Sequence, residues 1–99
     1  MRKLNQKVVC KDGFTMSVQA GEAQYCHPRM AGAERYTEVE IGFPNRSEDL
    51  LLEFAEDSAK PTETVYPYVP ASLVSLVIAK HGGMIEGELP PGIPCLRAR

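Results

Sequence analysis

The chain has 99 residues, 43% hydrophobic and 24% charged, with a formal net charge of −2. That length holds one hydrophobic core, not two, and the mildly acidic balance argues against a protein built to grip nucleic acid, which usually carries a basic face. No apolar run approaches the roughly 18–20 residues that cross a bilayer, and the basic start Met1–Lys7 leads only into Val8-Val9-Cys10, too short for a signal peptide, so a cytoplasmic protein is expected.

The first element in chain order is a β-hairpin over Lys7–Ala20. Phe14, Met16 and Val18 alternate with Thr15, Ser17 and Gln19, the period of a half-buried strand. Asp12-Gly13 suggests a type I′ turn, which needs positive φ at both central residues. From Gly21 to Arg35 the periodicity stops, and the spacing predicts a loop that is long for so small a domain. Tyr36–Pro44 returns to strand, with Thr37, Val39, Ile41 and Phe43 on one face and Glu38 and Glu40 on the other. Ser47, followed by Glu48 and Asp49, reads as the cap of a short helix over Glu48–Ala55 that buries Leu50, Leu51 and Phe54.

Thr64-Val65-Tyr66 reads as a short strand. Pro67 and Pro70 then hold Tyr68-Val69 extended, because proline pushes the residue before it away from the helical region. A helix over Pro70–Lys80 follows, burying Leu73, Val74, Val77 and Ile78, with Gly82 as its left-handed cap. Met84–Gly87 suggests a last strand. Residues 88–99 carry three prolines and read as a tail outside an ordered core of 7–87. Together these predict a single α+β domain: a mainly antiparallel sheet of three to four strands with two helices.

Charge is unevenly spread. Residues 1–33 carry +3, residues 34–63 carry −6 and residues 64–99 carry +1. A solvated sheet face and helix face explain the acidic middle most simply. Three cysteines spaced across the chain fit reduced thiols better than a disulfide framework. The potential metal ligands Cys10, Cys26, His27, His81 and Cys95 lack the close pairing of zinc sites, so no metal or other cofactor is expected.

The densest group of chemically capable side chains is Tyr25-Cys26-His27-Pro28-Arg29. Cys26 beside His27, with Arg29 near, would make a thiol nucleophile if an imidazole faced the sulfur; neighbours in extended chain point to opposite sides, so His81 is the other source of a base. Tyr66 and Tyr68 with Tyr25 and Tyr36, joined by Arg29 or Arg35, form the alternative, a binding surface, since tyrosine joins a large apolar ring to a polar tip. The expected binding residues are Tyr25, Cys26, His27, Arg29, Tyr66, Tyr68 and His81, with no catalytic residue assigned. An enzyme is the less favoured reading.

Val18-Gln19-Ala20, Tyr25–Arg29, Tyr36–Pro44, Ala55-Glu56-Asp57, Pro61–Tyr66, Tyr68-Val69-Pro70 and Lys80–Gly83 together resemble a family of small, uncharacterised proteins encoded in tailed-phage and prophage genomes. The resemblance covers roughly residues 8–85 and carries over no catalytic or binding residue. It implies a setting: a phage accessory protein in the cytoplasm of the bacterial host. Small proteins of that setting often inhibit host or defence components by binding, or sequester a nucleotide signal. Three functions are therefore carried forward. They are a non-enzymatic binder of a host protein, an oligomeric binder (a homodimer in the simplest case) of a small phosphorylated ligand held by Arg29, Arg35 and tyrosines, and a thiol enzyme at Cys26.

Overall fold

A computed structural model describes residues 3–98. Met1, Arg2 and Arg99, parts of the basic N-terminus and of the proline-rich tail, lie outside the described residues. Five strands form one antiparallel sheet: β1 Val8–Cys10, β2 Thr15–Gln19, β3 Glu38–Gly42, β4 Val65–Pro70 and β5 Met84–Glu86, in the order β4-β3-β2-β1-β5. The first four follow one another as a meander. The α-helix α1 (Ala71–Lys80) then carries the chain from β4 at one edge to β5 at the other. The α+β class holds, with five strands rather than three or four and one α-helix rather than two among the described residues.

The period-two pattern decides which face is buried. Val8, Cys10, Met16, Val18, Val39 and Ile41 turn inward, and the core closes over them with Val74, Val77 and Ile78 of the helix. Thr15, Ser17, Glu38 and Glu40 alternate onto the other, half-exposed face. Leu73 is partly buried and Leu76 is exposed, so the apolar stripe of α1 is narrow. Its C-terminus closes with the Gly82 amide on Ala79 O (3.1 Å) and the Gly83 amide on Ile78 O (2.9 Å). This is the paired-bond cap that the Gly82-Gly83 sequence suits, and it leaves His81 as the last residue of the turn.

Three local expectations are corrected. The β1–β2 connection is not a type I′ turn, because only Gly13 takes positive φ (92°). The Gly13 amide bonds Cys10 O (3.0 Å) and the Cys10 amide bonds Phe14 O (2.8 Å), a three-residue loop in which a type I turn ends on a left-handed glycine. Asp12 is then free to accept the Phe14 amide on Oδ1 at 2.9 Å. The helix expected over Glu48–Ala55 is a run of i+3 bonds ending in one 3-10 turn, Leu52–Phe54, without a side-chain cap. The Leu50 amide goes instead to the Glu48 carboxylate (2.9 Å). Leu51 is nonetheless buried, with Leu50 and Phe54 packed beside it. Finally, Phe43 leaves the inner face: its φ is +50° and its side chain is exposed.

Residues 88–98 lie against the body. The Met84 amide bonds Leu96 O (2.8 Å), the Ala98 amide bonds Met84 O (3.1 Å) and the Tyr36 amide bonds Pro91 O (2.9 Å), while the Ser75 hydroxyl donates to the Pro94 carbonyl. Leu89, Ile93 and Cys95 are partly buried on the core. The segment therefore covers the free side of β5.

The turn into that segment depends on Gly87. Its φ is +116°, and an added Cβ would sit 2.5 Å from Lys7 O and 2.6 Å from the Val8 Cα. Gly87→Ala is expected to lower stability by roughly 2 kcal/mol, combining backbone strain with displacement of β1. Gly13→Ala, at φ +92° with nothing within 4 Å, should cost only about 1 kcal/mol. Urea denaturation of the two variants checks the difference.

Candidate functional site

The long loop 21–35 is tied down at its chemically dense part. Cys26 is buried, and its Sγ lies 3.3 Å from the Gly21 amide, 3.2 Å from Gly21 O and 3.5 Å from Pro28 O. His27 bridges to the start of β3, its amide on Glu38 O (3.0 Å) and its carbonyl taking the Thr37 amide (2.8 Å). The Tyr25 amide donates to Glu40 Oε1 at 3.0 Å. This stitching sets Tyr25 and Arg29 beside the far end of β4.

β4 meets them with a bulge. Ile41 pairs with Tyr66 and Val39 with Val69, so three steps on β4 oppose two on β3. Tyr68 absorbs the extra residue at φ +55°, a conformation that a tyrosine seldom takes, and its amide bonds Tyr25 O at 3.1 Å. The result is a surface pair, Tyr25 and Tyr68 at 41% and 43% exposure, with ring centroids 6.0 Å apart and planes at 51°. The Arg29 guanidinium carbon stands 5.1 Å from the Tyr25 centroid. Met30 is exposed in the same loop, and Glu38 and Glu40 lie half-exposed on the adjoining strand.

Of the seven expected binding residues, this surface brings together Tyr25, Arg29 and Tyr68, with the exposed His27 on the same tied loop. It does not bring in the other three. Cys26 is 2% exposed with its sulfur occupied by backbone groups, an anchor for the loop rather than a nucleophile open to substrate. Tyr66 points into the core, its hydroxyl donating to Pro61 O at 2.5 Å, and burial raises its pKa. His81 lies at the opposite end of α1, roughly 15 Å of helix away.

There His81 belongs to a second cluster, whose other members had no signature in the sequence. Its Nδ1 is 2.6 Å from Asp12 Oδ2 and its Nε2 is 2.6 Å from Glu48 Oε1. Lys80 Nζ reaches Glu48 Oε2 at 2.8 Å, and Arg46 Nη2 reaches Asp12 Oδ2 at 2.8 Å. The imidazole stacks on Phe14, centroids 4.1 Å apart and planes at 9°. Both ring nitrogens thus face carboxylate oxygens, which leaves neither free for a substrate or a metal ion, and the described residues hold no group of three or more His, Cys, Asp or Glu able to bind a metal. Burial works against the ionised form of both carboxylates and is outweighed. For Glu48 the opposing causes are hydrogen bonds from Lys80, the Leu50 amide and His81 and the Lys80 charge; for Asp12 they are His81, the Phe14 amide and the charges of His81 and Arg46. Both carboxyls end below their ordinary range. Burial, joined by Asp12 and Cys95, pushes the Cys10 thiol up to about 11, and burial also raises Cys95.

Two depressed carboxyl pKa values give a signed prediction. The unfolded chain takes up protons near pH 4 while the folded chain still resists them, so the stabilisation is complete at neutral pH and is lost as the pH falls through about 4 and below. Urea midpoints measured from pH 7 to pH 3 should fall, and Asp12→Asn with Glu48→Gln should flatten the fall.

Among the described residues no helix is long and apolar enough to cross a membrane. No protein-family model, curated protein or solved structure matches the chain.

Proposed function

We propose that this chain is a non-enzymatic accessory protein, of the tailed-phage kind its sequence resembles, that works in the bacterial host cytoplasm and binds a host protein, modulating or inhibiting it. The observation that carries the proposal is the exposed Tyr25–Tyr68 pair with Arg29 against it. Tyrosine and arginine are the residues enriched at the energetic centre of protein interfaces. Here Tyr25, on the tied loop, and Tyr68, on β4, are joined by the Tyr68 amide on Tyr25 O, and Tyr68 occupies a left-handed bulge that glycine would fill with less strain. That conformation is consistent with a side chain kept for contact rather than for folding.

An exposed tyrosine pair outside both cavities suits a protein better than a small phosphorylated ligand. Two cavities, of about 250 and 500 Å³, are lined respectively by the N-terminal segment with residues 19–24 and by the C-terminal segment, and neither includes Tyr25, Arg29 or Tyr68. The experiment is capture from bacterial lysate with immobilised protein. A saturable partner held by the wild-type chain and lost by Tyr25→Ala is the expected result. No saturable partner, or one held equally by Tyr25→Ala, overturns the proposal.

A further inference from the structure

The cluster at the far end of α1 plays no part in that surface, yet it is the most tightly engaged charged group among the described residues. Five charged or titratable side chains from three parts of the chain meet there. Asp12 comes from the β1–β2 turn, Arg46 and Glu48 from the segment after β3, and Lys80 and His81 from the end of α1. Lys11 packs its stem beside Gly82, and burial followed by the Asp12 charge raises the Cys10 thiol. An ionised carboxylate only accepts hydrogen bonds. An imidazole with a carboxylate oxygen 2.6 Å from each nitrogen satisfies both only as the doubly protonated cation. A neutral ring keeps one N–H and turns a lone pair towards the other oxygen.

The two carboxylates are not equally able to yield. The Glu48 side chain is 1% exposed and is pinned on its other oxygen by Lys80 and the Leu50 amide. The Asp12 side chain is 43% exposed and has Arg46, itself half-exposed, to turn to. We infer that Asp12–His81–Glu48 is a proton-operated latch: the imidazolium holds both carboxylates, and the neutral ring keeps its Nε2–H on Glu48 and lets go of Asp12. The main-chain bonds from Lys11 to Gly83 O and from Asp12 to His81 O remain, so the hairpin end stays near the helix while its side-chain tie opens. The device links the protonation of one ring to the join between the first hairpin and the helix cap.

Nitrogen-15 NMR of the histidine rings, from about pH 5 to pH 9 where an imidazole titrates, tests this, with the exposed His27 as internal control. The expected result is a His81 ring that is doubly protonated in acid and becomes the Nε2–H tautomer in base. The Phe14 amide, bonded to Asp12 Oδ1, should shift together with the His81 ring signals. In Asp12→Asn the Phe14 response should vanish while His81 still titrates. A Nδ1–H tautomer in base, a His81 ring that does not titrate, or a Phe14 response that survives Asp12→Asn overturns the inference. If Asp12→Asn does not fold, the wild-type tautomer alone decides.

Discussion

Glu48→Ala is expected to lower the stability of the fold by roughly 3 kcal/mol, the low end of the range for breaking a buried ion pair from one side. In a domain of this size that corresponds to a fall in melting temperature of about 12–24 °C. The loss does not come chiefly from the Lys80 contact, because Lys80 is about half exposed and such pairs contribute less than about 1 kcal/mol. It comes from what Glu48 leaves behind: a mostly buried His81 with one nitrogen facing empty space, and a Leu50 amide without its acceptor. Lys80→Ala should therefore be mild. Replacing both Glu48 and His81 by leucine should cost less than the two single losses added together, since the second change removes the group that the first one stranded. Urea denaturation of Glu48→Ala, Lys80→Ala, the two single leucine variants and their double, each beside the wild type, measures this, and a Glu48→Ala loss below about 1 kcal/mol would show that the cluster contributes little to the fold.

Tyr68→Gly separates folding from binding in the opposite way. The native φ of +55° costs a non-glycine residue roughly 1–2 kcal/mol. Glycine removes that strain, adds about 0.5–1 kcal/mol of unfolded-state entropy, and loses a tilted contact with Tyr25 on an exposed surface. The net change in stability should stay within about 1 kcal/mol. Truncating an aromatic at the centre of an interface costs about 2 kcal/mol or more of binding energy, which is roughly a 30-fold loss of affinity. Tyr68→Ala should bind as poorly and fold slightly less well, because alanine keeps the strain. Calorimetric titration of the captured partner, beside thermal melts of the same samples, reads both quantities. Full affinity in Tyr68→Gly would remove Tyr68 from the contact.

The elements that local pattern controls were legible without a structure. Met16 and Val18 alternating with Ser17 and Gln19 announce β2, Val39 and Ile41 between glutamates announce β3, and the run from Pro70 to Gly82 announces the helix and its glycine cap. Each signal lies within about ten residues, where periodicity and steric preference act directly. Local pattern failed where a side chain's partner is distant. Ser47-Glu48-Asp49 has the look of a helix start, but Glu48 is taken up by His81, 33 residues on, and its carboxylate diverts the Leu50 amide. Asp12 looked like a turn former, and its second oxygen is claimed by a histidine 69 residues away.

The candidate surface divides in the same manner. That tyrosines and Arg29 fall near a long loop and a proline-stiffened strand is legible in the chain, because composition and proline chemistry are local properties. Which tyrosines reach the surface was decided only by the fold. A one-residue bulge at Pro67-Tyr68 shifts the β4 register, sending Tyr66 into the core and Tyr68 out beside Tyr25. Side-chain direction in a strand alternates with every residue, so one inserted position reverses what is buried and what is offered. His81 was separated from that surface for a simpler reason: ten residues of helix stand between Pro70 and it, and a rigid helix sets its two ends apart.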